Sequence, residues 1–477
     1  MTSNQFAFYG REEESKKLEE LYNSKKPELL VLYGRRRIGK TYLLSHFSSS
    51  INNRVIRYTA FEENIIKNLN YLSNEVYRYF NLPNSLPGFK NYYDLFDFIL
   101  KQQVNEKIVI ILDEYQFMSK ADQSLDSILE NFFDKAKETN KNIFLILCGS
   151  AISFMSELTE NYKKPLYGRR TCLMELKPFD FKTARLFLNS YSILEQVKIY
   201  LLIGGVAQYL ALFDNGNGYK NNIIKNCFDK TGYLFQEASV LLRTEFNEIS
   251  SPSSILESIG NGCSKFNEIV QDSHMSPQLS AKLLNAFCKN LHITKKIVPI
   301  GEQDNSKKTI YKFDDNYFSF YYGFLSKKKD ILESGLVDLN YFYDEYFTEQ
   351  MQNTLLGHPF ESLCMEALIS LNKKLKLPFV GESYGTFWGN NPLTKEETDI
   401  DVVIKSKNKI LLGECKFTNK RIKINEYNDL ARDGNGCFAN YKKYYYLFSK
   451  SGFEDNLCSI KDVNLFDLNE IINALCE

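Results

Sequence analysis

Residues 28–41 read ELLVLYGRRRIGKT, and this stretch decides the fold. Its first six residues form an apolar run bounded by Lys-Pro and by glycine, the pattern of a strand covered on both faces of a parallel sheet. The next eight fit G-x-x-x-x-G-K-[ST]. In such a loop Gly34 and Gly39 let the backbone curl so that its N–H groups face phosphate oxygens, Lys40 reaches the β and γ phosphates of ATP, and Thr41 is placed to ligate Mg²⁺. The helix that TYLLSHF predicts from Thr41 onward would set its positive end against the anion. Strand, loop and helix come in the order a phosphate-binding loop requires.

A second motif follows in KIVIILDEYQ, 107–116, where an apolar strand ends in two carboxylates. Ligands of parallel sheets bind at the C-terminal strand edge. Asp113 is therefore expected to hold Mg²⁺ through water and Glu114 to polarise the attacking water. RVIRYTA, 54–60, predicts a further strand, followed by helices near 62–80 and 92–103. NIFLILCGS predicts another strand ending at Ser150, which either senses the γ-phosphate through the attacking water or simply turns the chain. KPLYGRRTCLMELKPF, 164–179, sets an Arg pair before an apolar strand. Either Arg169 or Arg170 is an arginine finger acting across a boundary, as in a homo-oligomer, or the pair makes surface ion pairs.

Composition narrows the function classes. A chain of 477 residues with 44% hydrophobic and 25% charged side chains is expected to fold into several globular domains. Lys and Arg number 59, as do Asp and Glu, so no global field attracts nucleic acid or an anionic membrane, and any DNA affinity must be local. The ten cysteines include no C-x-x-C pair, which argues for reduced thiols rather than zinc or a disulfide framework. The N-terminus lacks a basic stretch followed by an apolar one, and no apolar run approaches a membrane span. A cytoplasmic protein without a membrane partner is expected.

Downstream, 176–250 is rich in helical pattern with a turn at DNGNG, the reading of a helical lid, and SSPSS marks a boundary near Ser250. From there three short helices, a strand, the polar GEQDNSKK and a second strand read as a winged helix-turn-helix. Over 252–323 eight Lys/Arg face seven Asp/Glu, so a protein-contact or interdomain role competes with DNA binding. The Tyr and Phe cluster at 311–324 reads as core rather than a base-stacking platform. After a connector over 326–357, HPFESLCMEALISL has helical period and carries Glu361. His358 reads as a helix-start residue without metal partners. TDIDVVIKSKNKILLGECKF then reads as a hairpin. Glu414 and Lys416, two apart, share one strand face, and Asp401 on the neighbouring strand can share a divalent metal with Glu414 while Lys416 orients water. Glu361 completes that set, Asp399 is the alternative ligand, and Mg²⁺ or Mn²⁺ suits such oxygens. Cys415 should face the core. Lys420, Arg421 and Lys423 either touch phosphate or lie on a solvated loop.

FYGREEESKKLEEL, GRRRIGKT, LDEYQ, LCGSAISFM, LYGRRT and IGGVAQYL together, over about 8–210, resemble the archaeal-type ATPases, a branch of the AAA+ related P-loop group. The rest resembles the winged-helix region and the PD-(D/E)XK nuclease-like C-terminal domain of unknown function often fused to them. The resemblance implies that Gly10 and Arg11 lie near the nucleotide base or the lid. The family's proline after GG and one apolar residue is replaced here by Ala207, which would loosen lid coupling.

The expected architecture is α/β: a parallel-sheet P-loop core over 1–175, a helical lid over 176–250, a winged helix over 251–325, the connector over 326–357, and the α/β nuclease-like domain over 358–477. The expected activity is ATP hydrolysis coupled to a DNA-directed nuclease-like domain in DNA processing or defence. The alternative is a nucleotide switch acting on a protein partner, with that domain inactive.

Overall fold

The computed structural model describes residues 8–52, 54–83, 85–303 and 306–476. Residues 1–7 of the N-terminal reading, and two positions of the 301–308 segment read as a wing, lie outside the described residues. The chain divides into two compact units, Met1–Pro178 with Lys289–Leu291, and Phe179–Cys288 with His292–Glu477.

The first unit is built on β1 (Glu28–Tyr33), β2 (Val55–Thr59), β3 (Ile108–Asp113), β4 (Ile143–Gly149) and β5 (Cys172–Glu175). All pair in parallel, in the order β2-β3-β4-β1-β5. Alternate side chains leave opposite faces of a strand. Leu29, Val31, Ile110, Leu112, Leu145 and Leu147 accordingly pack with Leu72, Phe96 and Phe132 on one side. Leu30, Leu32, Ile111 and Ile146 pack with Leu18, Leu44 and Phe47 on the other. Helical cover on both faces explains why β1, β3 and β4 are apolar throughout rather than alternating. Each fully buried Leu or Ile here contributes about 2 kcal/mol. Because β1 lies beside β4 and β4 beside β3, the ends carrying Gly34, Ser150 and Asp113 share one edge of the sheet.

The second unit begins with helices Phe181–Phe187, Ile193–Ile203, Ala207–Leu210, Gly218–Ile223 and Glu237–Glu245. The Gly-Gly turn has a steric cause. A Cβ on Gly205 would stand 1.8 Å from the Phe179 carbonyl oxygen, and the Phe179 N–H donates to the Gly205 carbonyl at 2.7 Å. The expected proline position, Ala207, is the first residue of its helix, where proline would cost no hydrogen bond. The turn is thus held by backbone contact.

Helices Ser250–Gly260, Phe266–Asp272 and Pro277–Lys289 are followed by the antiparallel pair β6 (Thr294–Ile297) and β7 (Ile310–Phe313). The SSPSS stretch falls at a helix start: Ser250 begins the helix, and Pro252 sits in its first turn, where its missing N–H is not needed. Aromatic residues Tyr317, Phe318, Phe320, Tyr321, Tyr322 and Phe324 are buried, and 326–357 is not a bare connector. It contains helices Lys329–Ser334 and Leu339–Tyr346 and the start of Glu349–Lys373.

The C-terminal sheet comprises β8 (Ser383–Asn390), β9 (Glu397–Lys405), β10 (Lys409–Lys416), β11 (Lys442–Ser449) and β12 (Val463–Phe466), in the order β12-β11-β10-β9-β8. It is mixed: β8, β9 and β10 are antiparallel, β10, β11 and β12 parallel. Helix Glu349–Lys373 packs across β9 and β10, and also against helix Ile193–Ile203. The segment between β6 and β7 meets the β8 edge, where the Ile300 N–H donates to the Thr386 carbonyl at 2.9 Å. Among the described residues no helix is long and apolar enough to cross a membrane.

Candidate functional sites

At the edge shared by β1, β3 and β4, Gly34 takes a positive φ of 149°. A Cβ there would stand 2.3 Å from the Leu176 carbonyl oxygen, so the start of the loop admits only glycine. Gly39 caps helix Lys40–Ser50. The Lys40 ammonium turns into the loop and donates to the carbonyls of Gly34 at 2.7 Å and Arg35 at 3.0 Å. Burial lowers its pKa, opposed by the neighbouring Cys148, Glu114 and Asp113. An incoming triphosphate would take over those donors.

The Thr41 hydroxyl donates to Asp113 Oδ2 at 3.1 Å, and Asp113 Oδ1 accepts the Glu114 N–H at 3.0 Å. Glu114 has a left-handed backbone, φ 53°, strain of about 1 kcal/mol for a non-glycine residue. That bend turns its carboxylate toward β4, where Oε2 accepts from Ser150 Oγ at 2.9 Å and from Gln116 Nε2. The six expected residues Gly34, Gly39, Lys40, Thr41, Asp113 and Glu114 therefore share one sheet edge with Ser150. Gly10 and Arg11 also have positive φ, and the Arg11 guanidinium donates to the carbonyls of Ile38 at 3.2 Å and Lys177 at 2.6 Å. Arg11 thereby clasps the phosphate loop to the strand exit after β5.

The Arg pair divides. Arg169 is engaged within the chain: it donates through Nε and Nη2 to Asp134 at 3.0–3.2 Å, lies 2.7 Å from Glu130, and its Nη1 serves the Pro165 and Tyr167 carbonyls. A guanidinium so engaged has no fork left for a phosphate. Arg170 makes only single contacts, to Thr159 at 3.1 Å and Glu160 at 3.3 Å.

Sequence reasoning missed three groups here. Arg57 on β2 stands beside Asp113, Gln116 shares the Glu114 carboxylate, and Cys148 is a thiol whose burial raises its pKa well above the usual value. An arginine inside an apolar strand run was the available signal for the first.

The second site lies across β9 and β10. Gly413 pairs with Val402, which places Glu414 opposite Asp401 on the antiparallel strand. Asp401 Oδ2 accepts the Cys415 N–H at 2.8 Å, and Lys416 Nζ ion-pairs with Glu414. Burial, then the charges of Glu414 and Glu361, push the Asp401 carboxyl up to about 8. Burial also raises Glu414, with Lys416 opposing. Burial works against the Lys416 charge, yet Glu414 and Asp401 hold its pKa above the usual value. Cys415 is buried beside Cys364, on the core side as expected.

Two expectations change. Among the described residues no three His, Cys, Asp or Glu side chains form a group able to hold a metal. The set Glu361, Asp401 and Glu414 is therefore not assembled as a three-ligand cage. Each is otherwise occupied: Glu361 by His358, Asp401 by a backbone N–H, Glu414 by Lys416. The pair Asp401 and Glu414 still fits a hard cation, because two half-buried, mutually repelling carboxylates are eased by one. His358 is not a helix start but lies mid-helix beside Pro359. Its Nδ1 is 2.8 Å from Glu361 Oε2, and burial lowers its pKa against the pull of that carboxylate.

Residues 8–213 match the ATPase domain predominantly from Archaea, and residues 321–428 match a domain of archaeal and bacterial proteins of unknown function. An uncharacterized protein of Methanocaldococcus jannaschii is 30% identical over 472 residues, 96% of this chain and 100% of that protein. An uncharacterized ATP-binding protein of the same archaeon is 43% identical over 54 residues, 11% of this chain and 88% of that one. Among solved structures, a Walker-type ATPase of Pyrococcus abyssi superposes with a TM-score of 0.44 at 21% identity, covering 65% of this chain and 95% of that one. The Aeropyrum pernix ORC2 protein gives 0.43 at 12% identity, covering 70% of this chain and 98% of that one. With a parallel P-loop sheet, a match to the archaeal ATPase domain and a relative aligned along its whole length, the chain belongs to the archaeal-type nucleotide-binding ATPase family.

Proposed function

We propose that the chain hydrolyses ATP at the β1, β3 and β4 edge and uses nucleotide state to control a DNA-directed, PD-(D/E)XK-like centre at Asp401, Glu414 and Lys416. The observation that carries this reading is the coexistence of the Thr41, Asp113 and Glu114 arrangement with a half-buried carboxylate pair and lysine on adjacent strands.

At the first centre Lys40 binds the β and γ phosphates, and the Thr41 hydroxyl with Asp113 would hold Mg²⁺, which offsets phosphate charge when bound. Glu114 orients the attacking water. Ser150, hydrogen-bonded to that carboxylate, is placed to respond to the γ-phosphate, and Arg170 is the candidate finger if the protein forms a homo-oligomer. At the second centre Asp401 and Glu414 would hold Mg²⁺ or Mn²⁺, which supplies Lewis-acid activation of the scissile phosphate. Lys416 positions water and offsets charge, and Glu361, buttressed by His358, supports from the helix. The packing of helix Ile193–Ile203, which ends in the Gly-Gly turn, on the helix carrying Glu361 supports coupling between lid and carboxylates.

ATP hydrolysis and metal-dependent cleavage of several DNA forms, measured on one preparation, test the reading. ATP turnover lost in K40A and cleavage lost in D401A and E414A are expected. Cleavage equal in wild type and D401A would remove the nuclease role.

One observation favours a second reading, a nucleotide switch on a protein partner. The segment between β6 and β7, read from the sequence as a wing, is hydrogen-bonded to β8 rather than free to enter a DNA groove. Hydrolysis indifferent to DNA and accelerated by a co-purifying protein would select it.

A further inference from the structure

Arg57 has no part in the phosphate-loop pattern, yet it stands beside the carboxylate on which the metal reading depends. On β2 it pairs in register with Ile111, and the strand period of two puts Ile111 and Asp113 on one face. Its guanidinium Nη2 lies 3.9 Å from Asp113 Oδ2, the same oxygen that accepts the Thr41 hydroxyl. Asp113 is 1% exposed, so solvent screens the pair only weakly. Two anchors fix the guanidinium: Nη1 donates to Ser45 Oγ at 2.8 Å and Nη2 to the Thr41 carbonyl at 3.2 Å. Both anchors lie on helix Lys40–Ser50, which follows the loop directly. The cation is thus held by the helix that begins with Lys40 and Thr41.

We infer that Arg57 is a resident counter-cation of Asp113 that competes with the divalent metal for that carboxylate, and so is a positioning residue that sets metal affinity at the nucleotide site. A fixed positive charge at this distance stabilises the Asp113 carboxylate without a metal and repels a metal bound to it. The arrangement fits a hard cation, since Asp113 and Thr41 offer oxygen donors, but the cation must enter against Arg57. Metal without nucleotide should therefore bind poorly. The phosphates would supply the negative charge that tips the balance, making metal entry conditional on nucleotide.

This inference rests on the reading of Asp113 as the metal-holding carboxylate. The test uses the full chain with ADP as probe, its affinity measured by titration calorimetry across a series of Mg²⁺ concentrations. Wild-type affinity that ignores Mg²⁺, or Mg²⁺ enhancement that persists in D113N, would defeat the Asp113 reading whatever Arg57 does. Given that enhancement, R57Q should lower the half-saturating Mg²⁺ about tenfold, because the competing charge is gone. S45A, which frees the guanidinium from one anchor, should move it the same way by about threefold and covers the case that R57Q does not fold. R57K, which keeps a charge, should stay near wild type. An R57Q half-saturation that is unchanged or raised overturns the inference, the latter by making Arg57 a phosphate contact. R57K matching R57Q also overturns it, by assigning the effect to hydrogen bonding instead of charge.

Discussion

The two carboxylate sites of this chain solve opposite electrostatic problems. At the parallel-sheet edge Asp113 is almost wholly buried, yet it has the Thr41 hydroxyl, the Glu114 N–H and the Arg57 guanidinium around it. At β9 and β10, Asp401 has one N–H, faces Glu414, and feels Glu361 behind it. The first carboxylate is surrounded by donors and a cation, whereas burial and like charges push the second toward its protonated form. On the proposed reading, Asp113 waits for nucleotide in an assembled site, and the unrelieved carboxylates around Asp401 favour taking up a cation.

The largest expected effects break this comparison at its functional ends. K40A and E114Q should each lower ATP turnover by about two to four orders of magnitude, with nucleotide binding spared in E114Q. Phosphate release measured beside nucleotide binding checks both, and wild-type turnover in either variant would remove the catalytic assignment at the first edge. D401A and E414A should leave ATP turnover within about twofold while abolishing metal-dependent cleavage. The same preparation assayed for both activities separates the two sites.

A smaller effect sharpens the electrostatic contrast, because Asp→Asn should change stability in opposite directions at the two sites. D113N replaces a well-partnered carboxylate and should cost about 1 kcal/mol. D401N removes a charge that folding disfavours. The Asp401 carboxyl, near 8 when folded, lies above its unfolded value of about 4, so the native state retains a proton that the unfolded chain has released. Its contribution is fully present below the unfolded value and is lost as pH rises through the folded one. The advantage of D401N should grow by about 1.4 kcal/mol per pH unit inside that window and level off above it. Denaturant melts in EDTA at pH 5, 7 and 9 check this. A pH-independent difference would mean that Asp401 is not held protonated.

The contrast also tracks what could be read in the sequence. The phosphate loop and the LDEYQ strand end were legible because their chemistry is contiguous: each motif brings its own strand, and local apolar runs place Asp113 and Thr41. Asp401, Glu414 and Lys416 were legible for a different reason, the period of two along a hairpin. What a contiguous reading could not deliver was the crossover order β2-β3-β4-β1-β5, and with it the neighbour relation that brings Arg57 to Asp113. The start of helix Glu349–Lys373 was missed because Gly357 and Pro359 interrupt its pattern, which is why His358 looked like a beginning. The helices within 326–357 were hidden in an aromatic run whose burial depends on packing distant in sequence.

Arg169 gives the smallest prediction and the sharpest one for the first site. A finger residue and a strut can look alike in sequence, since both need an arginine before a strand. They differ in what their removal changes. Asp134 and Glu130 lie on the helix Leu125–Glu138, and together with two carbonyls they use the guanidinium as a brace between that helix and the chain before β5. The three side chains are roughly a third exposed, so solvent screening limits the brace to about 1 kcal/mol. R169A should therefore lower the melting temperature by a few degrees and leave ATP turnover within about twofold. R170A should leave the melting temperature nearly unchanged, and its turnover should fall only under conditions in which the protein self-associates. A hundredfold loss of turnover in R169A with an unaltered melt would return the finger to Arg169, because a brace that costs no stability is not a brace.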